Sequence, residues 1–211
     1  MLNNNYPNIR FTREDSAILF VDHQVGLILG VHDHDHETLR RNVITLARAA
    51  KVYGLPAIVT SSADDGPNGP ILPELVVELP DIQVIKRPGE IDAFDNPDFA
   101  AAVKATGRKN LIISGISTDV CVAFAALSAV AAGYNVQAVL DASGTWSHLA
   151  AEAAIIRMRD AGVTMTSSVA MTAELQRDWR NPGGEVLGSI YAEKAIPFYS
   201  SLIAMTYREP R

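Results

Sequence analysis

The chain alternates short β-type apolar runs with longer stretches whose apolar residues recur every three to four positions. That alternation restricts its fold more than any other feature. The runs are Ala17-Ile18-Leu19-Phe20-Val21, Ala57-Ile58-Val59-Thr60, Gln83-Val84-Ile85-Lys86, Leu111-Ile112-Ile113-Ser114, 136–140 and 163–166. The fourth of these, Leu111-Ile112-Ile113-Ser114, is a continuous apolar run, as suits a strand covered on both faces. Between the runs, the spacing predicts helices over about 37–53, 97–106, 118–132 and 148–161. In the first of these Leu39, Val43, Leu46, Ala47 and Ala50 share a face, and Gly54 and Pro56 end it. Residues 61–73 are rich in Gly, Pro, Asp and Asn and read as loop. Residues 170–207 read as mostly helical, broken at Asn181-Pro182-Gly183-Gly184. Such alternation implies an α/β, three-layer sandwich: a central, mostly parallel sheet with helices on both faces and right-handed crossovers.

The 211 residues suit one domain spanning 1–211, and no linker divides them. With 48% apolar and 20% charged residues, a core can form without staples. A formal net charge of -6 gives no electrostatic footprint for nucleic acid or an anionic membrane. A single cysteine rules out an internal disulfide, so the fold does not depend on an oxidising compartment. The first ten residues are polar, with no apolar signal core. No stretch approaches the ~20 apolar residues of a membrane span. These features together predict a cytoplasmic protein.

In open parallel sheets, sites form beyond the carboxyl ends of the strands. Asp22 follows the first run, Lys86 and Arg87 follow or end the third, and Gly115-Ile116-Ser117-Thr118-Asp119-Val120-Cys121 follows the fourth. An acid, a cation and a thiol therefore converge on one rim. The set suits thiol catalysis: Asp22 can take the thiol proton and later pass it to a leaving group. Cys121 is expected in the first turn of a helix, where the dipole and a nearby cation would lower its pKa. Backbone N–H groups of the turn could hold a developing oxyanion. Each residue also has a plainer role: Cys121 as packing, Asp22 as turn former, Lys86 and Arg87 as solvated side chains.

These residues resemble the isochorismatase-like cysteine hydrolases. Val21-Asp22-His23-Gln24 is similar to the family's opening segment, Gly115 to Val122 to its nucleophile motif, and Asp141-Ala142-Ser143-Gly144-Thr145 to a further segment. The stretches Gly66-Pro67-Asn68-Gly69-Pro70, Arg87 to Asn96 and Asp178-Trp179-Arg180-Asn181 are similar to the YcaC-like branch. The resemblance implies a Rossmann-like fold, a homo-oligomer that could be an octamer, and a triad of Asp22, Arg87 and Cys121. Lys86 is the alternative basic member, since the wider family has Lys here. It also implies a cis peptide between Ile116 and Ser117, which would aim the Ser117 N–H with that of Cys121 as an oxyanion hole. Gln24, Phe94, Thr118 and Trp146 are the expected pocket residues. Nicotinamidases of the superfamily carry an Asp and His metal cluster after the second strand. Here that loop, Ser61-Ser62-Ala63-Asp64-Asp65-Gly66, has no His, so neither a metal nor a cofactor is expected. Many members read Ser-Ala-Phe where this chain has Asp92-Ala93-Phe94, which changes the polarity of the pocket.

The tract His32-Asp33-His34-Asp35-His36 holds metal-ligand residue types, but it precedes a helix that Asp35 could cap. Trp179 is a further aromatic that could line a pocket or an interface. The implied activity is hydrolysis of a small amide or related C–N compound through a covalent Cys121 intermediate. The alternative is a non-catalytic oligomer with a redox-sensing or vestigial thiol. A dinucleotide enzyme is disfavoured, because no G-x-G-x-x-G follows the first strand. A serine hydrolase is disfavoured because no G-x-S-x-G elbow is present.

Overall fold

The structure, a computed structural model, describes residues 10–206. The polar stretch before Arg10 and Tyr207 at the end of the helical tail lie outside the described residues. Six strands form one sheet: β1 Ser16–Val21, β2 Ala57–Ser62, β3 Val84–Arg87, β4 Asn110–Gly115, β5 Asn135–Val139 and β6 Thr164–Thr166. Their order is β3-β2-β1-β4-β5-β6, and every pairing is parallel rather than mostly so. This is the doubly wound Rossmann-like order. Successive strands run outward one way from β1 and then the other way from β4, so a crevice opens between the carboxyl ends of β1 and β4.

The central strands β1 and β4 are buried at every position because both faces of the sheet are covered there. On one face Ile18, Phe20 and Ile112 pack against Leu39, Val43 and Leu46 of α2 (His36–Tyr53), Met171 and Leu175 of α7 (Ser168–Gln176) and Leu187 of α8 (Gly184–Ile190). On the other, Ala17, Leu19, Leu111 and Ile113 meet Phe99 and Val103 of α4 (Pro97–Ala105), Ala125 and Ala129 of α5 (Ala123–Ala131), and Met158 of α6 (His148–Asp160). Asp35 caps α2 by accepting from the Thr38 N–H at 2.8 Å, and Gly54 closes it at φ 62°, as its missing Cβ permits.

Two short helices, α1 (Val25–Leu29) and α3 (Pro73–Glu78), were not expected from the sequence. Five or six residues are too few to show a helical period. The C-terminal segment divides. Leu187, Ile190 and Tyr191 are buried in the chain's own core, whereas Phe198 and Met205, at either end of α9 (Tyr199–Thr206), stay exposed. No helix among the described residues is long and apolar enough to cross a membrane.

The crevice depends on a close approach. A Cβ on Gly115, at the end of β4, would lie 2.1 Å from the Val21 carbonyl oxygen, its register partner on β1. That contact is backbone and cannot turn aside. Gly115→Ala is therefore expected to cost at least the upper end of about 1–3 kcal/mol, with β1 and β4 forced apart at the site. Urea unfolding beside a Gly133→Ala control checks this. Gly133 has open space around its missing Cβ, so its cost comes from its φ of 90° alone.

Candidate active site

The chain reverses abruptly where β1 ends. Asp22 adopts φ 57°, the left-handed region that Asp tolerates better than most residues, and its carbonyl accepts from the Gln24 N–H at 2.7 Å. This turn sets the Asp22 carboxyl in the crevice, fully buried. Arg87, the last residue of β3, reaches it and is 1% exposed. One guanidinium arm donates to Asp22 Oδ2. The other donates to the carbonyls of Glu90 and Ile91, and Nε donates to Thr60 Oγ1 at 3.0 Å. Thr60 in turn donates to the Ile85 carbonyl at 2.7 Å, and its own carbonyl accepts from the Asp22 N–H. Thr60 thus holds both members of the ion pair, a role that no sequence motif marked.

Side-chain alternation along β3 turns Lys86 the opposite way. Its side chain is 71% exposed and pairs with Asp64 at 2.9 Å. Of the two basic candidates, Arg87 is the one the fold brings to Asp22.

Cys121 lies half-buried on a π-helical turn, Thr118–Val122, that leads into α5. The segment after β5 braces this turn. Gly144 accepts from the Thr118 N–H at 3.0 Å, Ser143 Oγ accepts from the Gly115 N–H, and Thr145 Oγ1 donates to Asp119 at 2.6 Å. The peptide between Ile116 and Ser117 is cis. The Cys121 thiol interacts with the Asp22 carboxylate and with the Ser117 N–H. Asp22 Oδ1 is buried without a fully formed hydrogen bond. An acid, a guanidinium and a thiol, 65 and 34 residues apart along the chain from one to the next, therefore form one cluster.

The electrostatics differ from the expectation of a lowered thiol pKa. Burial, then the neighbouring Asp22 charge, pushes the Cys121 thiol up to about 12, against smaller opposing effects of the Ser117 N–H and Arg87. Burial likewise raises Asp22 above the ordinary carboxylate range, while Arg87 pulls it back. The cation reaches the thiol only across a carboxylate, so a resting thiolate would put a second anion in a buried space. The proton therefore rests on sulfur.

The expected pocket residues take different places. Thr118 is buried, its hydroxyl lacks a hydrogen bond, and it lines a cavity of about 280 Å³ with His34, His148 and Glu152. Phe94 packs edge-on against Phe99 at 5.3 Å, in the same apolar cluster as Cys121. Trp146 is 44% exposed and its ring lies over Gly30. Gln24 is fully buried, and its amide is taken up by the Ser62 N–H and the carbonyls of Ser62 and Gly69, so it braces the loop after β2. Trp179 packs edge-on against Tyr191 at 5.8 Å. In the histidine tract, His32, His34 and His36 each bond a backbone carbonyl. Among the described residues no group of three or more His, Cys, Asp or Glu side chains is arranged to hold a metal.

His23, beside Asp22, carries no sequence pattern that marks a role of its own. It is fully buried, with Nε2 2.9 Å from the Ala142 carbonyl, and so ties the end of β1 to the end of β5. Burial lowers its pKa to about 4 from 6.5. Below pH 6.5 the unfolded chain binds a proton that the folded chain refuses, so stability falls as the pH drops from 6.5 to 4. The loss should total about 3 kcal/mol from this one group. Urea unfolding at pH 7, 5.5 and 4.5 should show it, and His23→Gln should flatten that part of the profile. An unchanged slope in the variant would mean that other groups carry the acid sensitivity.

The isochorismatase domain model matches residues 16–170. The chain is 45% identical over 197 residues to the probable hydrolase YcaC of Escherichia coli (strain K12), covering 93% of this chain and 94% of that one. The structure of YcaC from Pseudomonas aeruginosa with hexane-2,5-diol and covalent acrylamide superposes with a TM-score of 0.93. It is 45% identical, and the match covers 96% of this chain and all of the other. The structure of the YcaC gene product from Escherichia coli, described as an octameric hydrolase of unknown specificity, superposes with a TM-score of 0.91 at 45% identity, covering 95% and 97%. The crevice at the β1–β4 switch point, with its acid, guanidinium and thiol, thus lies within the matched domain, and the chain belongs to the isochorismatase family.

Proposed function

We propose that the protein is a cysteine hydrolase that cleaves a small amide or related C–N compound through a thioester-type intermediate on Cys121. The observation that carries this is the buried Asp22 carboxylate set between Arg87 and the Cys121 thiol. A carboxylate raised by burial is a better base than an exposed one, and Arg87 fixes its orientation. Asp22 takes the thiol proton as sulfur attacks, so no standing thiolate is needed. The Ser117 and Cys121 N–H groups receive the oxyanion. Asp22 then protonates the leaving nitrogen, and water repeats the cycle on the thioester. The chain acts as one domain in a cytoplasmic homo-oligomer, with the octamer of the Escherichia coli relative as the assembly to test. The covalent acrylamide of the Pseudomonas aeruginosa relative is in keeping with a reactive group that meets small amides.

Of the second reading, a non-catalytic oligomer with a redox-sensing or vestigial thiol, the high pKa of Cys121 favours the vestigial form, since a redox sensor needs a low-pKa thiol. A panel of small amides and nitriles, assayed for ammonia release alongside intact-mass labelling by acrylamide, separates the two. The hydrolase reading expects release by the native protein, none by Cys121→Ala, and a single acrylamide adduct on Cys121. No release, with Cys121 unlabelled while the unfolded chain labels normally, would leave only the second reading.

A further inference from the structure

Resting on the hydrolase reading, we infer that this site takes only uncharged acyl compounds: neutral amides enter, and carboxylates, including the hydrolysis product, are turned away. The cation that acts on both Asp22 and Cys121 is Arg87. Four of its five N–H donors are already engaged by Asp22, Thr60 and the carbonyls of Glu90 and Ile91, and its side chain is fully buried. It has no free fork to offer a substrate carboxylate, the usual means of binding one. Lys86, the neighbouring cation, points out to Asp64. The charge the site presents beside the thiol is instead a carboxylate, Asp22, with an oxygen that lacks a full hydrogen bond.

The charge count through the reaction leads to the same conclusion. At rest, Arg87 is positive, Asp22 negative, and the thiol and a bound amide neutral, so the sum is zero. Sulfur bonds to the carbonyl carbon, its proton passes to Asp22, and the C=O electron pair becomes an oxyanion; the sum is still zero. The oxyanion collapses, the C–N bond breaks, and the Asp22 proton leaves on the nitrogen as a neutral amine. Water then attacks the thioester and gives its proton to Asp22. Collapse expels the Cys121 sulfur, which takes that proton back, and a carboxylic acid is freed. A neutral substrate therefore keeps the buried site balanced at each stage, whereas an anionic one adds an unpaired charge throughout. Once the freed acid loses its proton to solvent, it becomes the species the site rejects, and this aids its departure.

Iodoacetamide and iodoacetate test this directly, since they are nearly equal in size and differ in charge. Their rates with Cys121 are followed by intact mass on the native, full-length protein, and on the same chain unfolded in denaturant as reference. The native amide-to-acetate rate ratio should exceed the unfolded ratio by at least tenfold. Acetamide should slow native labelling, and acetate at equal concentration should not. Equal ratios in the two states, or protection by acetate as strong as by acetamide, would overturn the neutral-substrate rule while leaving the nucleophile in place. Failure of both reagents on the native protein, with normal labelling of the unfolded chain, would overturn the nucleophile and this inference with it.

Discussion

Arg87→Ala will destabilise the protein by about 3–5 kcal/mol, the range for removing one partner of a buried ion pair. The change leaves the Asp22 carboxylate buried without its counter-charge and strips the Glu90 and Ile91 carbonyls and Thr60 Oγ1 of a donor. A lysine cannot restore these contacts, because one ammonium cannot span Thr60, two carbonyls and Asp22 as the planar fork does. Arg87→Lys should recover less than half of the loss. A double variant, Asp22→Leu with Arg87→Met, should lie closer to the native protein than the sum of the two single changes, since it removes the stranded charge as well as its partner. Denaturant unfolding of the native protein, these variants and the Asp22→Leu and Arg87→Met singles reads this out. A loss under 1 kcal/mol in Arg87→Ala would mean that water reaches Asp22 and the pair is not truly buried.

The sheet was legible in the sequence because each strand shows as an apolar run, with boundaries off by one or two residues. One such shift mattered: β3 ends at Arg87, a residue later than its apolar run. Period-two alternation then sets Arg87 with Ile85, whose face packs on the apolar cluster that includes Cys121, and sets Lys86 on the other side. That signal was available for choosing between the two cations. Asp22 could not be placed the same way, because its left-handed φ breaks the alternation at the end of β1. The turn-former and functional readings of Asp22 are compatible, since it makes the turn and points into the crevice.

Cys121 was legible as a residue but not in its electrostatics. The expectation of a low pKa rested on a helix start and a nearby cation. The structure supplies a π-helical turn and a carboxylate between the cation and the sulfur. Which charge lies nearest depends on packing among β1, β3 and the turn after β4, and local sequence carries no record of that. The roles of Thr60 and His23 were hidden for the same reason. Each bonds across strands, Thr60 to Arg87 and His23 to Ala142, and neither has a local pattern that marks it.

Asp22→Asn should move two properties of Cys121 in opposite directions. In the native protein the Asp22 charge, after burial, is the main influence that holds the thiol pKa up near 12. Asn keeps the shape and removes the charge, while Arg87 stays positive beside it. The thiol pKa must therefore fall, so the thiolate fraction at pH 8 rises by about tenfold for each unit of the drop. Iodoacetamide, which reacts with the thiolate, should label Asp22→Asn faster than the native protein. Turnover requires a base that takes the thiol proton and an acid that returns it to the leaving nitrogen, and Asn can do neither. Hydrolysis should fall by about 10²–10⁴-fold. A residue that merely supports the fold would slow both processes or neither. Measured together on one preparation, with circular dichroism to show that the variant is folded, faster labelling with lost turnover identifies Asp22 as the proton carrier. Labelling and turnover falling in parallel would overturn the proton-carrier role and leave Asp22 as a residue that only supports the site.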